Sequence, residues 1–175
     1  LPQLIEAGVD SLKIEGRTKS LYYVSAVTKA YRNAIDDVMA GKIDDLHKYF
    51  LELKKVGNRG YTTGFALGDN NSDSYSYDIS KGLAGADFLC EFRSEERNIT
   101  IPSEYHLVKV KNKMLVGDDL EIITPKEQFV TKVEGIKDEN GEDLDLGNTN
   151  ADVYIKFSQS PQDPKFALVR TVGIK

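Results

Sequence analysis

One predicted strand lies between two helical patterns near the start of this chain, and no other feature constrains the fold as much. In residues 9–15, Leu12 and Ile14 alternate with Lys13 and Glu15, which predicts a short strand. Helix–strand–helix order is typical of a parallel sheet, and a parallel sheet cannot consist of one strand. The sequence therefore predicts the end of a larger α/β domain, and we expect the chain to be an excised part of a longer protein.

The helical patterns around this strand carry recognisable end signals. A short pattern ends at Gly8, and a long amphipathic one begins after a Ser20 cap and ends at Gly41. Asp44 or Asp45 is predicted to cap a third helix. The long helix has apolar side chains at steps of three and four residues, namely Val24, Val27, Tyr31, Ile35 and Val38.

The second half of the chain has a different pattern. Residues 58–85 are rich in Gly, Asn, Ser and Tyr and predict a connector. Residues 86–175 contain short alternating runs with no helix between them, and Asn140-Gly141 favours a tight hairpin. These runs predict a small antiparallel barrel or sandwich, of which we expect a self-contained barrel. The predicted strands are 86–92, 106–112, 119–125, 129–136, 152–157 and 166–172. The predicted core is Leu89, Val108, Val110, Leu120, Ile122, Val130, Val133, Val153, Ile155, Leu168 and Val169.

Composition limits the classes of function. Residues 1–60 hold 10 Lys/Arg and 8 Asp/Glu, whereas the remainder holds 13 and 20. The acidic second part disfavours non-specific binding to nucleic acid. Cys90 is the only cysteine, which excludes an intramolecular disulfide and fits a reducing compartment. We predict an inert core thiol, no membrane segment and a cytoplasmic location.

The charged side chains of the first strand are the main candidates for chemistry. Lys13 and Glu15 share one face at the carboxyl end of the predicted strand, and Arg17 follows in the loop. Ligands bind at this end of parallel strands. Together the three groups have the chemistry to hold an anionic or polar substrate and to move a proton. An ion network at a strand end is the alternative, and the spacing leaves both open.

The barrel contributes weaker candidates for binding. Lys109, Lys111 and Lys113 are the clustered positive charge of the acidic half, and they predict either an RNA-backbone contact or a solvated strand edge. His47 and His106 have no neighbour at metal-ligand spacing, so we predict no metal site at either histidine.

Three segments resemble one protein family. Residues 6–32, EAGVDSLKIEGRTKSLYYVSAVTKAYR, look like the signature of the collagenase-like U32 peptidases. Residues 58–65, NRGYTTGF, and residues 111–125, KNKMLVGDDLEIITP, resemble later segments of that family in the same order. The resemblance implies an α+β chain in which residues 1–57 are the tail of a catalytic (β/α) barrel and residues 86–175 a C-terminal β-barrel domain.

The resemblance also implies an activity and a cofactor for the parent protein. Members are described as proteases, whereas relatives hydroxylate RNA, including tRNA, so a peptide and a tRNA both remain possible substrates. An iron–sulfur cluster is implied, held by cysteines upstream of this chain. Lys13, Glu15 and Arg17 belong to the family signature, without a defined role for each. Thr18 stands where the family usually has Met, and Lys111 where it usually has Arg.

These features give expectations for the chain taken alone. The first hypothesis is that the chain is part of a peptidase and that its β-barrel binds the substrate. The second is that the chain is part of an iron–sulfur-dependent RNA hydroxylase. The third is that the chain is a non-catalytic binding or scaffolding domain. The fragment is expected to be inactive and to hold no cofactor. The unpaired strand and the apolar helix faces are expected either to fold back on the barrel or to pair with a second copy, and a homo-oligomer is favoured.

Overall fold

The computed structural model describes residues 1–58, 60–66, 68, 85–94 and 100–173. The chain divides into two compact units, Leu1–Gly85 and Ala86–Gly173. The predicted connector, residues 58–85, lies mostly outside the described residues. Within the described ranges, no helix is both long and apolar enough to cross a lipid bilayer.

The described part of the first unit contains the helices α1 (Pro2–Glu6), α2 (Leu21–Met39) and α3 (His47–Lys54). The Ser20 cap is confirmed, because its Oγ accepts the backbone N–H of Tyr23 at 3.2 Å. The predicted ends are also confirmed, since Gly8 and Gly41 follow α1 and α2 with φ of +78° and +75°. Glycine adopts this left-handed conformation without the steric cost of a side chain.

The cap predicted for α3 is wrong. Neither Asp44 nor Asp45 caps the helix, which begins after Leu46 with no side-chain hydrogen bond to its first turn. The carboxylate of Asp45 instead lies 3.8 Å from the ammonium of Lys48. A carboxylate that lies beside the side chain of Lys48 is not placed to accept the N–H groups that a cap would satisfy.

Helices α2 and α3 are held together by polar groups at both ends of α3. The hydroxyl of Tyr49 donates to the carboxylate of Asp37 at 2.5 Å, and that of Tyr22 donates to the backbone oxygen of Lys55 at 3.3 Å. The hydrogen bond from Tyr49, followed by that from Lys48, lowers the pKa of Asp37. The buried stripe of α2 comprises Tyr22, Ala26, Val27, Ala30 and Ala34.

The strand predicted over residues 9–15 is wrong as a paired strand, because this segment is neither helical nor hydrogen-bonded to a strand. The alternation of the sequence nevertheless persists: Leu12 and Ile14 are half-buried, whereas Lys13 and Glu15 are exposed. A strand requires a neighbour with which to exchange backbone hydrogen bonds, and no described segment of the first unit provides one.

The second unit is a closed antiparallel barrel. Six strands follow one another around it in the order β4, β9, β1, β2, β8 and β5, and β5 returns to pair with β4. All six predicted strands are confirmed, and three two-residue strands were not predicted. The strands are β1 (Phe88–Phe92), β2 (Tyr105–Val110), β3 (Met114–Leu115), β4 (Asp119–Ile123), β5 (Gln128–Lys137), β6 (Asp143–Leu144), β7 (Leu146–Gly147), β8 (Asp152–Phe157) and β9 (Leu168–Thr171).

The predicted hairpin joins β5 to β6. The carboxylate of Asp138 accepts the backbone N–H groups of Asn140 and Glu142, both at 2.9 Å, and Gly141 takes a φ of +87°. Hydrogen bonds to a carboxylate favour its charged form. The bond from Glu142 is the largest cause of a lowered pKa at Asp138.

Ten of the eleven predicted core residues are buried, and Val130, which is 53% exposed, is wrong. Val130 and Val133 are separated by an odd number of positions and therefore lie on opposite faces of a regular strand. Phe129 packs against the core instead. The register of β5 against β8 then shifts between Val133 and Gly135, a bulge that lets both Val133 and Ile136 reach the core.

The barrel contains a buried ion pair that was not predicted from the sequence. Arg170 on β9 is fully buried and lies opposite Glu121 on β4. Its Nε donates to the carboxylate of Glu121 at 2.7 Å, and the side-chain amide of Gln128 donates to the other carboxylate oxygen at 2.9 Å. Removing either charge would take away the opposite charge with which its buried partner is paired.

Candidate functional site

The segment that carries Lys13, Glu15 and Arg17 is exposed to solvent. The Nζ of Lys13 lies 3.8 Å from a carboxylate oxygen of Glu15, and the two side chains are 86% and 70% exposed. The other oxygen of Glu15 accepts the backbone N–H of Arg17 at 3.0 Å. The structure thus brings Lys13 and Glu15 together, whereas the guanidinium of Arg17 makes no ion pair with a described residue. An exposed pair of this kind contributes little to stability, so its side chains are free to engage a ligand.

Gly16 fixes the position of this segment against α2. A Cβ added at Gly16 would lie 2.7 Å from the nearest methyl carbon of Val24, closer than side chains pack. The missing side chain therefore lets the chain turn directly beneath the start of α2. Because Ser20 caps α2, the backbone of the charged segment is fixed in position at Gly16 and at Ser20.

Three tyrosines lie beside this segment that were not predicted as site residues from the sequence. Tyr23, Tyr31 and Tyr61 line a groove of about 260 Å³ together with Lys13 and Glu15. Tyr23 and Tyr31 are eight positions apart on one helix, a spacing that places them on one face. That spacing is a signal in the sequence, although it is equally typical of packing alone.

The phenol of Tyr61 is held in place within this groove. Its hydroxyl donates to the backbone oxygen of Leu53 at 2.6 Å, and its ring meets that of Phe50 edge to face with centroids 5.7 Å apart. Burial, followed by the neighbouring Tyr23 and Tyr31, raises the pKa of Tyr61 to about 12. The phenol of Tyr61 therefore stays a neutral hydrogen-bonding group at physiological pH.

The lysines of the barrel do not form an unopposed positive surface. Lys109 pairs with Asp152 and Lys111 with Glu91, both at 3.0 Å. Lys113 is exposed and makes no ion pair with a described residue. Two of the three predicted binding lysines are thus already neutralised, and an RNA phosphate would have to displace a carboxylate to reach them.

The residues present do not fit an iron–sulfur cluster. Such a cluster requires about four thiolates in one place. Cys90 is fully buried in the barrel core, where burial raises the pKa of its thiol. His47 lies beside Phe50, and His106 contacts the hydroxyl of Ser160 at 2.9 Å. No group of three or more potential metal ligands occurs in the described part of the chain.

Comparison with known proteins identifies the family. The sequence model for peptidase family U32 matches residues 1–76, and the model for the C-terminal domain of that family matches residues 85–170. The chain belongs to peptidase family U32. Both structural units are therefore U32 sequence, and the β-barrel is the C-terminal domain of the family.

The names of the curated U32 relatives state different activities. The tRNA hydroxylation protein P of Escherichia coli strain K12 is 37% identical over 163 residues, which cover 92% of this chain and 34% of that protein. An uncharacterized protease of Methanocaldococcus jannaschii is 32% identical over 164 residues, or 90% of this chain and 39% of that protein. A collagenase of Porphyromonas gingivalis is 35% identical over 68 residues, or 38% of this chain and 19% of that protein. The chain spans about a third of the length of the first two relatives.

Proposed function

We propose that this chain is part of a U32 protein that takes part in tRNA hydroxylation. The observation that carries the proposal is the similarity to the tRNA hydroxylation protein P of Escherichia coli, which extends over 92% of this chain. A match of that extent includes residues of both units. The charged segment itself lies within residues 1–76, which the U32 family model matches.

We assign substrate binding to the charged segment of this chain. The ammonium of Lys13 and the guanidinium of Arg17 are suited to an RNA phosphate or a base carbonyl, because both are exposed donors. The carboxylate of Glu15 accepts a proton or a hydrogen bond beside them. Their placement at one exposed turn gives a donor–acceptor–donor arrangement within reach of a single nucleotide.

A peptidase is the second candidate, favoured by the partial match to a collagenase. For this activity the chain would have to bind a peptide and supply or orient a nucleophile. The thiol of Cys90 is unsuited to that role, because it is fully buried and its pKa is raised. Among the described residues, we therefore find more support for binding and proton transfer at the charged segment than for nucleophilic catalysis.

The decisive experiment is a nucleoside profile of tRNA from a strain lacking the gene. We expect a hydroxylated nucleoside to disappear and to return when the full-length gene is restored. A Glu15→Gln gene should restore it poorly, whereas Glu6→Gln, which changes another exposed carboxylate of the first unit, should restore it fully. Unchanged tRNA in the deletion strain, together with cleavage of gelatin by the purified protein, would establish the peptidase instead.

A further inference from the structure

The groove beside the charged segment combines a flat aromatic surface with polar groups. The ring of Tyr61 is anchored at its hydroxyl end by Leu53, yet 41% of the residue remains exposed. Contact with Phe50 holds the ring edge to face and fixes its orientation. A tyrosine held both at its hydroxyl and through a ring contact loses little conformational freedom when a ligand stacks on it.

The remaining polar groups of the groove supply hydrogen bonds of both kinds. The hydroxyls of Tyr23 and Tyr31 have no hydrogen-bond partner among the described residues, and a phenol hydroxyl both donates and accepts. Lys13 adds a donor and Glu15 an acceptor along the same groove. These groups of the groove can be matched by a planar heterocyclic ring whose edge carries carbonyl acceptors and N–H donors, since such a ring presents donors and acceptors in one plane.

The size of the groove limits the ligand. Pockets for drug-sized molecules occupy roughly 300–1,000 Å³, so a groove of about 260 Å³ is matched to a single small ring system. Single-stranded RNA presents such rings, because its unstacked bases stack on aromatic side chains and bond through their edges. We propose that this groove binds one unstacked nucleobase of the RNA substrate, with the ring of Tyr61 as the stacking surface and Tyr23, Tyr31, Lys13 and Glu15 at the base edge. This inference rests on the proposed function.

Binding of a short fluorescein-labelled oligouridine to the chain, followed by fluorescence anisotropy, tests the proposal. Tyr61→Ala removes the stacking surface and should weaken binding about 5- to 150-fold, the range for one stacked base. Tyr61→Phe keeps the ring and should lose less. Phe65→Ala is the matched control, because Phe65 is a 74% exposed aromatic residue of the same unit that does not line the groove, and its binding should equal that of the parent.

A second pair of measurements keeps the proposal testable if Tyr61→Ala fails to fold. The double variant Tyr23→Phe/Tyr31→Phe retains every ring and removes only the two hydroxyls, so it should weaken binding several-fold at low and at high salt alike. An abasic oligomer with the same phosphates should bind weakly to all variants. Parent-like binding by the double variant, or equal binding of the abasic oligomer, overturns the proposal.

The outcomes separate this inference from the function on which it rests. If tRNA of the deletion strain loses its hydroxylated nucleoside but Tyr61→Ala binds oligouridine as the parent does, the groove proposal alone fails. If the tRNA is unchanged while the tyrosine variants lose affinity, the proposed function fails and base binding stands. Displacement of the oligouridine by an equal concentration of a Gly-Pro-rich peptide would refute a nucleobase site and support a peptide ligand.

Discussion

Replacing Arg170 with methionine tests how strongly the barrel depends on its buried ion pair. Arg170 is completely buried, and Glu121, 9% exposed, accepts its hydrogen bond at 2.7 Å. Methionine fills much of the space of the arginine, but it removes the guanidinium from beside Glu121. The carboxylate of Glu121 still accepts the hydrogen bond from the amide of Gln128. Breaking a buried pair in this way costs about 3–5 kcal/mol of unfolding free energy. For a unit of this size the loss lowers the midpoint of thermal unfolding by roughly 10 °C or more.

Urea unfolding at neutral pH, followed by far-UV circular dichroism, measures this cost. The control is the double variant Glu121→Gln/Arg170→Met, in which neither charge remains. We expect the double variant to be more stable than Arg170→Met, because the amide introduced by Glu121→Gln would keep a hydrogen bond to Gln128 without a buried charge. The two charges are not energetically coupled if the unfolding free energy of Arg170→Met lies within about 1 kcal/mol of that of the parent. The same conclusion follows if the destabilising effects of the two substitutions add.

Three further predictions concern other parts of the structure. Gly16→Ala should lower the unfolding free energy of the first unit by about 1–3 kcal/mol through overpacking against Val24, and Gly16→Ala/Val24→Ala should recover most of the loss in urea melts. Asp138→Ala should destabilise the hairpin at pH 7. Since hydrogen bonds lower the pKa of Asp138 below its usual 3.8, its contribution is present above that pH and lost as the pH falls through the folded value, so parent and variant should converge in acid. Cys90 should react with a disulfide reagent at the unfolding rate alone, and rapid labelling of native protein would contradict its burial.

Much of the barrel follows from local signals in the sequence. Alternation at period two predicts all six barrel strands, and Asn140-Gly141 predicts the hairpin. Ser20 is recognisable as a cap for the same reason, since its hydroxyl acts within three residues of the chain. Features of this kind depend on neighbours along the chain, which a sequence displays directly.

The features that escaped prediction depend on neighbours in space. Glu121 and Arg170 are 49 positions apart, so nothing near either residue indicates that they meet. The prediction for Val130 is wrong because Val130 and Val133 lie on opposite faces of the regular part of β5, and the pairing of β5 with distant strands decides which face is inward. The tyrosine groove joins Tyr23 and Tyr61 across two segments of the first unit, and only their shared position beside Lys13 gives them a functional meaning.

The pairing of β1 with β9 has a consequence for how the barrel is made. The backbone N–H of Asp87 donates to the hydroxyl of Thr171, a bond that spans 84 positions, and the N–H of Thr171 donates back to the oxygen of Asp87. Contacts of such long sequence separation form late, since the entropy of closing the intervening chain must be overcome first. Until β9 arrives, β1 and β4 are both bare edges that are able to pair with another molecule. During synthesis from the N-terminus, the interval before residue 171 emerges is therefore the period in which this domain is most exposed to aggregation.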